Sequence, residues 1–174
     1  IKNANLDKLE GVINSKITNG LVVNEVTNTI FKQDLKEKVN FDLYVDTDLI
    51  PNQAVSKAVL ETTLGNLTTK NSIYNLKENA FNSDYLLNIP QLDKLKDVVK
   101  MSLKGKLDIS GELYNKENSM LLNGKSDTLG GTFDFDLKND KLNANLKNID
   151  IQELSSMLDY SKIFDSKANF NLDY

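Results

Sequence analysis

From Phe41 onward the dominant feature of the chain is strict alternation of apolar and polar residues, the period of two that sends successive side chains to opposite faces of a β-strand. Phe41, Leu43, Val45, Thr47 and Leu49 alternate with Asn40, Asp42, Tyr44, Asp46 and Asp48 up to Pro51. Segments 56–63 and 69–75 read as a pair joined by Leu64-Gly65-Asn66. A further strand over Phe81, Ser83, Tyr85, Leu87 and Ile89 follows the Lys77-Glu78-Asn79 turn. Later, Leu103, Gly105, Leu107, Ile109, Gly111 and Leu113 share one face with Lys104, Lys106, Asp108, Ser110 and Glu112 behind them. Phe133, Phe135 and Leu137, then Leu142, Ala144 and Leu146, and finally Ala168, Phe170 and Leu172 continue the pattern. Short turns between such strands predict antiparallel neighbours in a meander.

Helical spacing is rare. Leu92, Leu95 and Val99 share one helical face, as do Ile151, Leu154, Met157 and Leu158. Leu6, Leu9, Ile13 and Ile17 predict an N-terminal helix ending at Asn19-Gly20. The expected organisation is therefore a helical or irregular segment over 1–38, then a repetitive antiparallel sheet over 39–174. Within it, Leu64-Gly65, the turn at 77–79 and Ile89 are echoed by Leu129-Gly130, the turn at 138–140 and Ile149, a period of about 60 residues.

Composition narrows the chemistry. The chain has no histidine, cysteine or tryptophan, and all 21 of its cationic residues are lysine. Imidazole and thiolate chemistry are excluded, as are Cys-based and His-based metal sites. A net charge of −4 argues against a nucleic-acid partner, which needs a basic surface. No stretch reaches the roughly 20 apolar residues that span a bilayer. The chain opens at Ile1 without a signal-peptide pattern, so any anchor is expected upstream.

The remaining candidates for chemistry are weak. Asp42, Asp46 and Asp48 lie on one strand face, as do Asp134 and Asp136, and either set is read as a metal or acid–base group only if something shifts its pKa. A solvated strand face is the preferred reading. Gly130-Gly131 lacks the helix and the lysine of a phosphate loop and reads as a bulge or strand start. Asn66-Leu67-Thr68 fits a glycosylation sequon that so asparagine-rich a chain produces by chance. No enzyme is expected, and no cofactor or metal.

The apolar face is the candidate site: Leu103, Leu107, Ile109, Leu113, Phe133, Phe135, Leu137, Leu142, Leu146, Phe170 and Leu172. On pattern alone it is equally the inner face of a sandwich core and a surface for a greasy ligand. The small residues Gly105, Gly111, Ala144 and Ala168 on that face would leave room for acyl chains.

The run from Leu103 to Leu113, followed by Leu121-Leu122-Asn123-Gly124-Lys125-Ser126, Leu129-Gly130-Gly131-Thr132-Phe133 and Asn148-Ile149-Asp150-Ile151-Gln152-Glu153-Leu154, resembles AsmA-like (AsmA/TamB-type) proteins of diderm bacteria. The resemblance covers roughly 41–174 and is one of pattern. It implies a mainly β fold, a curled antiparallel sheet of the repeating β-groove type with a few short helices. It also implies a non-enzymatic, periplasmic protein tethered to the inner membrane by a segment outside this chain. Such a protein holds phospholipid acyl chains during transport to, or biogenesis of, the outer membrane. Edge pairing with neighbouring repeats is a further expectation. A structural or interaction scaffold and a stand-alone periplasmic lipid carrier are the alternatives.

Overall fold

The structure, a computed structural model, describes residues 6–22, 38–161 and 164–174. Ten strands form one sheet in sequence order: β1 (Gly11–Leu21), β2 (Asn40–Ile50), β3 (Gln53–Thr62), β4 (Asn66–Asn75), β5 (Ala80–Ile89), β6 (Leu107–Lys116), β7 (Ser119–Thr128), β8 (Gly131–Lys138), β9 (Lys141–Asp150) and β10 (Lys167–Asp173). Every neighbouring pair is antiparallel. A 3₁₀ turn at Leu92–Leu95 runs into α1 (Lys96–Val99) between β5 and β6, and α2 (Ile151–Met157) follows β9. Four strands and a helical connection thus occur twice, over β2–β5 and over β6–β9.

The meander arises because short connections with left-handed residues reverse the chain. Asn52, Asn79 and Asn139 take φ of 63°, 50° and 54° in three of them, a conformation asparagine tolerates because its side chain can bond the local backbone. Leu129 and Gly130 both have positive φ, 52° and 67°, and form the β7–β8 turn, with Gly131 opening β8. Asparagines also mark the places where pairing slips. Asn19, Asn71 and Asn148 have φ of 55°, 52° and 55° beside shifts in the β1–β2, β4–β5 and β9–β10 registers. Partners hold two of them through the main chain: Asn19 N–H donates to the Asp42 carboxylate at 2.7 Å, and Asn148 N–H to Asn169 Oδ1 at 2.7 Å.

Three expectations are corrected. The N-terminal helix over Leu6 to Ile17 is not formed: after a 3₁₀ turn at Leu6–Lys8, Gly11–Leu21 is strand paired along β2. Ile13 and Ile17, four apart, satisfy both periods, and β-branched Val12, Ile13, Ile17 and Thr18 prefer the extended chain. The strand expected from Leu103 begins at Leu107, because Gly105 has φ of 101° and its carbonyl accepts from Leu92 N–H at 2.9 Å. Lastly, the sheet is not strongly curled, and among the described residues no further strand pairs with the outer edges of β1 and β10. Alternation fixes which face a side chain occupies and carries no information about curvature.

The buried core is small and lies mainly toward one end. Val39, Ile89, Leu92, Ala144 and Ile149 are the buried hydrophobic residues among those described, and Ile149 is fully enclosed. Glycines permit the close backbone approach there. A Cβ on Gly65 would sit 2.5 Å from the Asn88 carbonyl oxygen, and one on Gly131 would sit 2.2 Å from that of Lys147.

Candidate functional site: one apolar sheet face and its helical end

The pairing registers place Leu107, Ile109 and Leu113 on the same face as Leu122 of β7 and Phe133, Phe135 and Leu137 of β8. Leu142, Ala144 and Leu146 of β9 join them, then Phe170 and Leu172 of β10. All the expected site residues except Leu103 therefore converge on one face. Leu103 lies in the connection before β6, so neither it nor Gly105 belongs to the sheet surface.

The face is larger than the second half of the chain suggested. Through β5, Tyr85, Leu87 and Ile89 stand opposite Gly111, Ile109 and Leu107. Through β3 and β2, Leu60 and Leu43 extend the same side toward β1. These residues carried the same alternation and were the legible signal for a face spanning all ten strands. The first half is more polar, and its hydroxyls pair with one another: Ser72 Oγ and Ser83 Oγ are 2.6 Å apart, and Thr47 Oγ1 and Ser56 Oγ are 2.9 Å apart. Ser126 Oγ, on the apolar face opposite Phe133, is buried without a hydrogen-bond partner among the described residues.

Gly111 does not leave open room for a ligand. A Cβ there would lie 2.0 Å from the Asn123 carbonyl oxygen, so the backbone of β7 already fills the space. The Phe135 ring similarly lies over Gly124, and it stacks against Phe133 with ring centroids 5.7 Å apart.

No second layer of secondary structure covers this face among the described residues. Nine strand spacings and about ten residues per strand make the sheet roughly 43 Å by 33 Å.

Charge is confined to the reverse face and the ends. Asp46 stands opposite Lys57, and Asp134 lies 3.6 Å from Lys147 while accepting from Asn145 Nδ2 at 2.9 Å. Hydrogen bonding from Asn88 is the main cause that holds the Asp108 carboxyl below the usual carboxylate range. Lys116 beside Glu78 lowers the Glu78 carboxyl and is itself raised. No group of acidic side chains is arranged to hold a metal ion among the described residues.

At one end the helical connections meet. Lys104 N–H donates to the Met157 carbonyl at 2.7 Å, and its ammonium forms a salt bridge with Asp159. Asp150 caps α2, its Oδ1 accepting from Gln152 and Glu153 N–H at 2.8 and 3.1 Å. Between these connections and the β7–β8 turn lies an open cleft of about 840 Å³ lined by Lys104, Lys106, Thr128, Gly131, Glu153 and Met157 among others. Its charges are of both signs and its mouth is wide, so it is the apolar face that offers the more distinctive surface.

No family model, curated protein or solved structure matches the chain.

Proposed function

We propose that this chain is a non-enzymatic lipid-binding segment of an AsmA-like protein, periplasmic and tethered to the inner membrane through a segment outside the chain, that shields phospholipid acyl chains during transport to the outer membrane. The observation that carries the reading is a single-layer sheet with one face, apolar in its second half and more polar in its first, that no second layer covers among the described residues. An acyl chain laid on such a face gains about 0.8 kcal/mol for each methylene removed from water, while its headgroup stays solvated. Binding then depends on chain length more than on headgroup. A groove and a conduit of repeats come from the sequence resemblance, and the width of the ten-stranded sheet supports a shielding surface.

Extraction of the purified protein followed by mass spectrometry, with titration of a fluorescent fatty acid, tests the reading. Co-purified phospholipid and saturable fatty-acid binding are expected. Absence of both would sink it in favour of the scaffold reading. That alternative has its own support in the open edges, where Val12, Ile13 and Ile17 of β1 and Phe170 and Leu172 of β10 are exposed.

A further inference from the structure

The two ends of the sheet are built differently. At one end neighbouring strands are joined by short turns, Pro51-Asn52, Leu76 to Asn79, Glu117-Asn118 and Asn139-Asp140, and the large apolar residues exposed there, Val12, Ile50 and Tyr174, lie on or beside the strands and not in the turns. At the opposite end stand the two helical connections. Val99 and Met101 in the first are 43% and 52% exposed, and Tyr160 and Phe164 in the second are 70% and 64% exposed. Among the described residues nothing covers these four side chains.

Lysines concentrate in the first connection, whereas in the second Asp159 and Asp165 stand beside Tyr160 and Phe164. From Leu92 to Lys106 there are five lysines, at 94, 96, 100, 104 and 106, against the two acids Asp93 and Asp97, in a chain whose net charge is −4. Lys104 and Lys106 pair with Asp159 and Asp108. Lys94, Lys96 and Lys100 form no salt bridge within the described residues and are exposed. The Lys104–Met157 hydrogen bond and the Lys104–Asp159 ion pair hold the two connections together, so that both apolar pairs belong to one end.

Exposed Val99 and Met101 flanked by lysines, with exposed Tyr160 and Phe164 on the adjoining connection, match the chemistry of a membrane interface: the apolar groups enter the boundary between headgroups and acyl chains, and the ammonium groups meet phosphates. We propose that this helical end of the sheet docks on a bilayer carrying anionic phospholipid headgroups. Val99, Met101, Tyr160 and Phe164 insert, and Lys94, Lys96 and Lys100 supply the preference for anionic lipid. The inference goes beyond the reading of the apolar face and stands without it, since a lipid-free sheet with this end would dock equally.

Co-sedimentation of the intact chain with unilamellar vesicles tests the proposal, using phosphatidylcholine alone and phosphatidylcholine containing one third phosphatidylglycerol. Binding is expected to the anionic vesicles, with partial loss as salt rises. The pair Met101→Asp with Phe164→Asp should weaken it by about tenfold or more, and Lys96→Glu with Lys100→Glu should abolish the preference for phosphatidylglycerol. Lys77→Glu with Lys141→Glu, at the opposite end, should leave binding unchanged. All six positions are exposed, and circular dichroism would verify that each variant keeps its sheet. Failure to bind anionic vesicles, or equal loss from variants at both ends, would overturn the proposal. Fatty-acid binding measured without vesicles separates the two readings: it should persist in Met101→Asp with Phe164→Asp, and its absence in the unmodified chain would count against the apolar face alone.

Discussion

The phenol of Tyr85 on β5 donates a hydrogen bond to the main-chain carbonyl of Asn123 on β7, 2.7 Å away, reaching past the intervening strand β6. Gly111, the β6 residue opposite Tyr85, makes this possible because it has no side chain in the way. Asn123 also accepts from Glu112 N–H through its side-chain oxygen at 3.0 Å, where the regular β6–β7 pairing is interrupted. One asparagine therefore joins the two halves of the sheet. Removing only the phenolic oxygen, as in Tyr85→Phe, should cost about 1 kcal/mol. The urea midpoint should fall, with the slope of the transition unchanged.

Burial raises the Tyr85 phenol above its ordinary pKa. The neutral form is thus favoured in the folded chain, and the stability it contributes is complete below the unfolded value near pH 10 and lost as pH rises through the higher folded value. Urea midpoints measured on either side of that window should fall with pH, and the part owed to this group should disappear in Tyr85→Phe. An identical alkaline loss in the variant would assign the effect to other groups.

Backbone contact makes two glycines poor sites for even a methyl group. Gly65→Ala and Gly131→Ala would place Cβ atoms 2.5 and 2.2 Å from carbonyl oxygens of the adjoining strand, and each should lose about 1–3 kcal/mol. Gly11→Ala meets nothing within 4 Å and should be nearly silent or slightly stabilising. Thermal melts of the three variants side by side check the ranking.

Enclosure is uneven across the apolar face, which separates its structural residues from its available ones. Ile149 is fully buried, whereas Leu172 on the edge is exposed. Ile149→Ala should cost about 2–5 kcal/mol in equilibrium unfolding. Leu172→Ala should cost well under half as much.

Neighbouring positions on β10 provide a matched test of face. Phe170 and Leu172 belong to the apolar side and Asn171 to the reverse. Phe170→Asp and Leu172→Asp should each reduce fluorescent fatty-acid binding several-fold, and Asn171→Asp should not. Because all three residues are exposed, the fold should survive each change. Equal effects from the two sides would remove the assignment of lipid to this face.

Alternation was sufficient to separate the two faces: Phe133, Phe135 and Leu137 fall on one side and Asp134 and Asp136 on the other, because a strand's side chains have a period of two whatever surrounds them. The short turns made the meander legible, since asparagine and glycine supply positive φ locally. Spacing was ambiguous at Ile13 and Ile17, where a separation of four fits either period, and pairing with β2 decided for strand. Leu103 and Gly105 continue the alternation of β6 without belonging to it. Hydrogen bonds from Leu92 to Gly105 and from Lys104 to Met157, between residues remote in sequence, draw that segment off the sheet. Neither the modest curvature nor the Tyr85–Asn123 bridge has a local signature, because each depends on how separate strands approach one another. Residue pattern determined which side chains share a face; only the three-dimensional packing decided that no other described element covers that face and that two helical connections meet at one end.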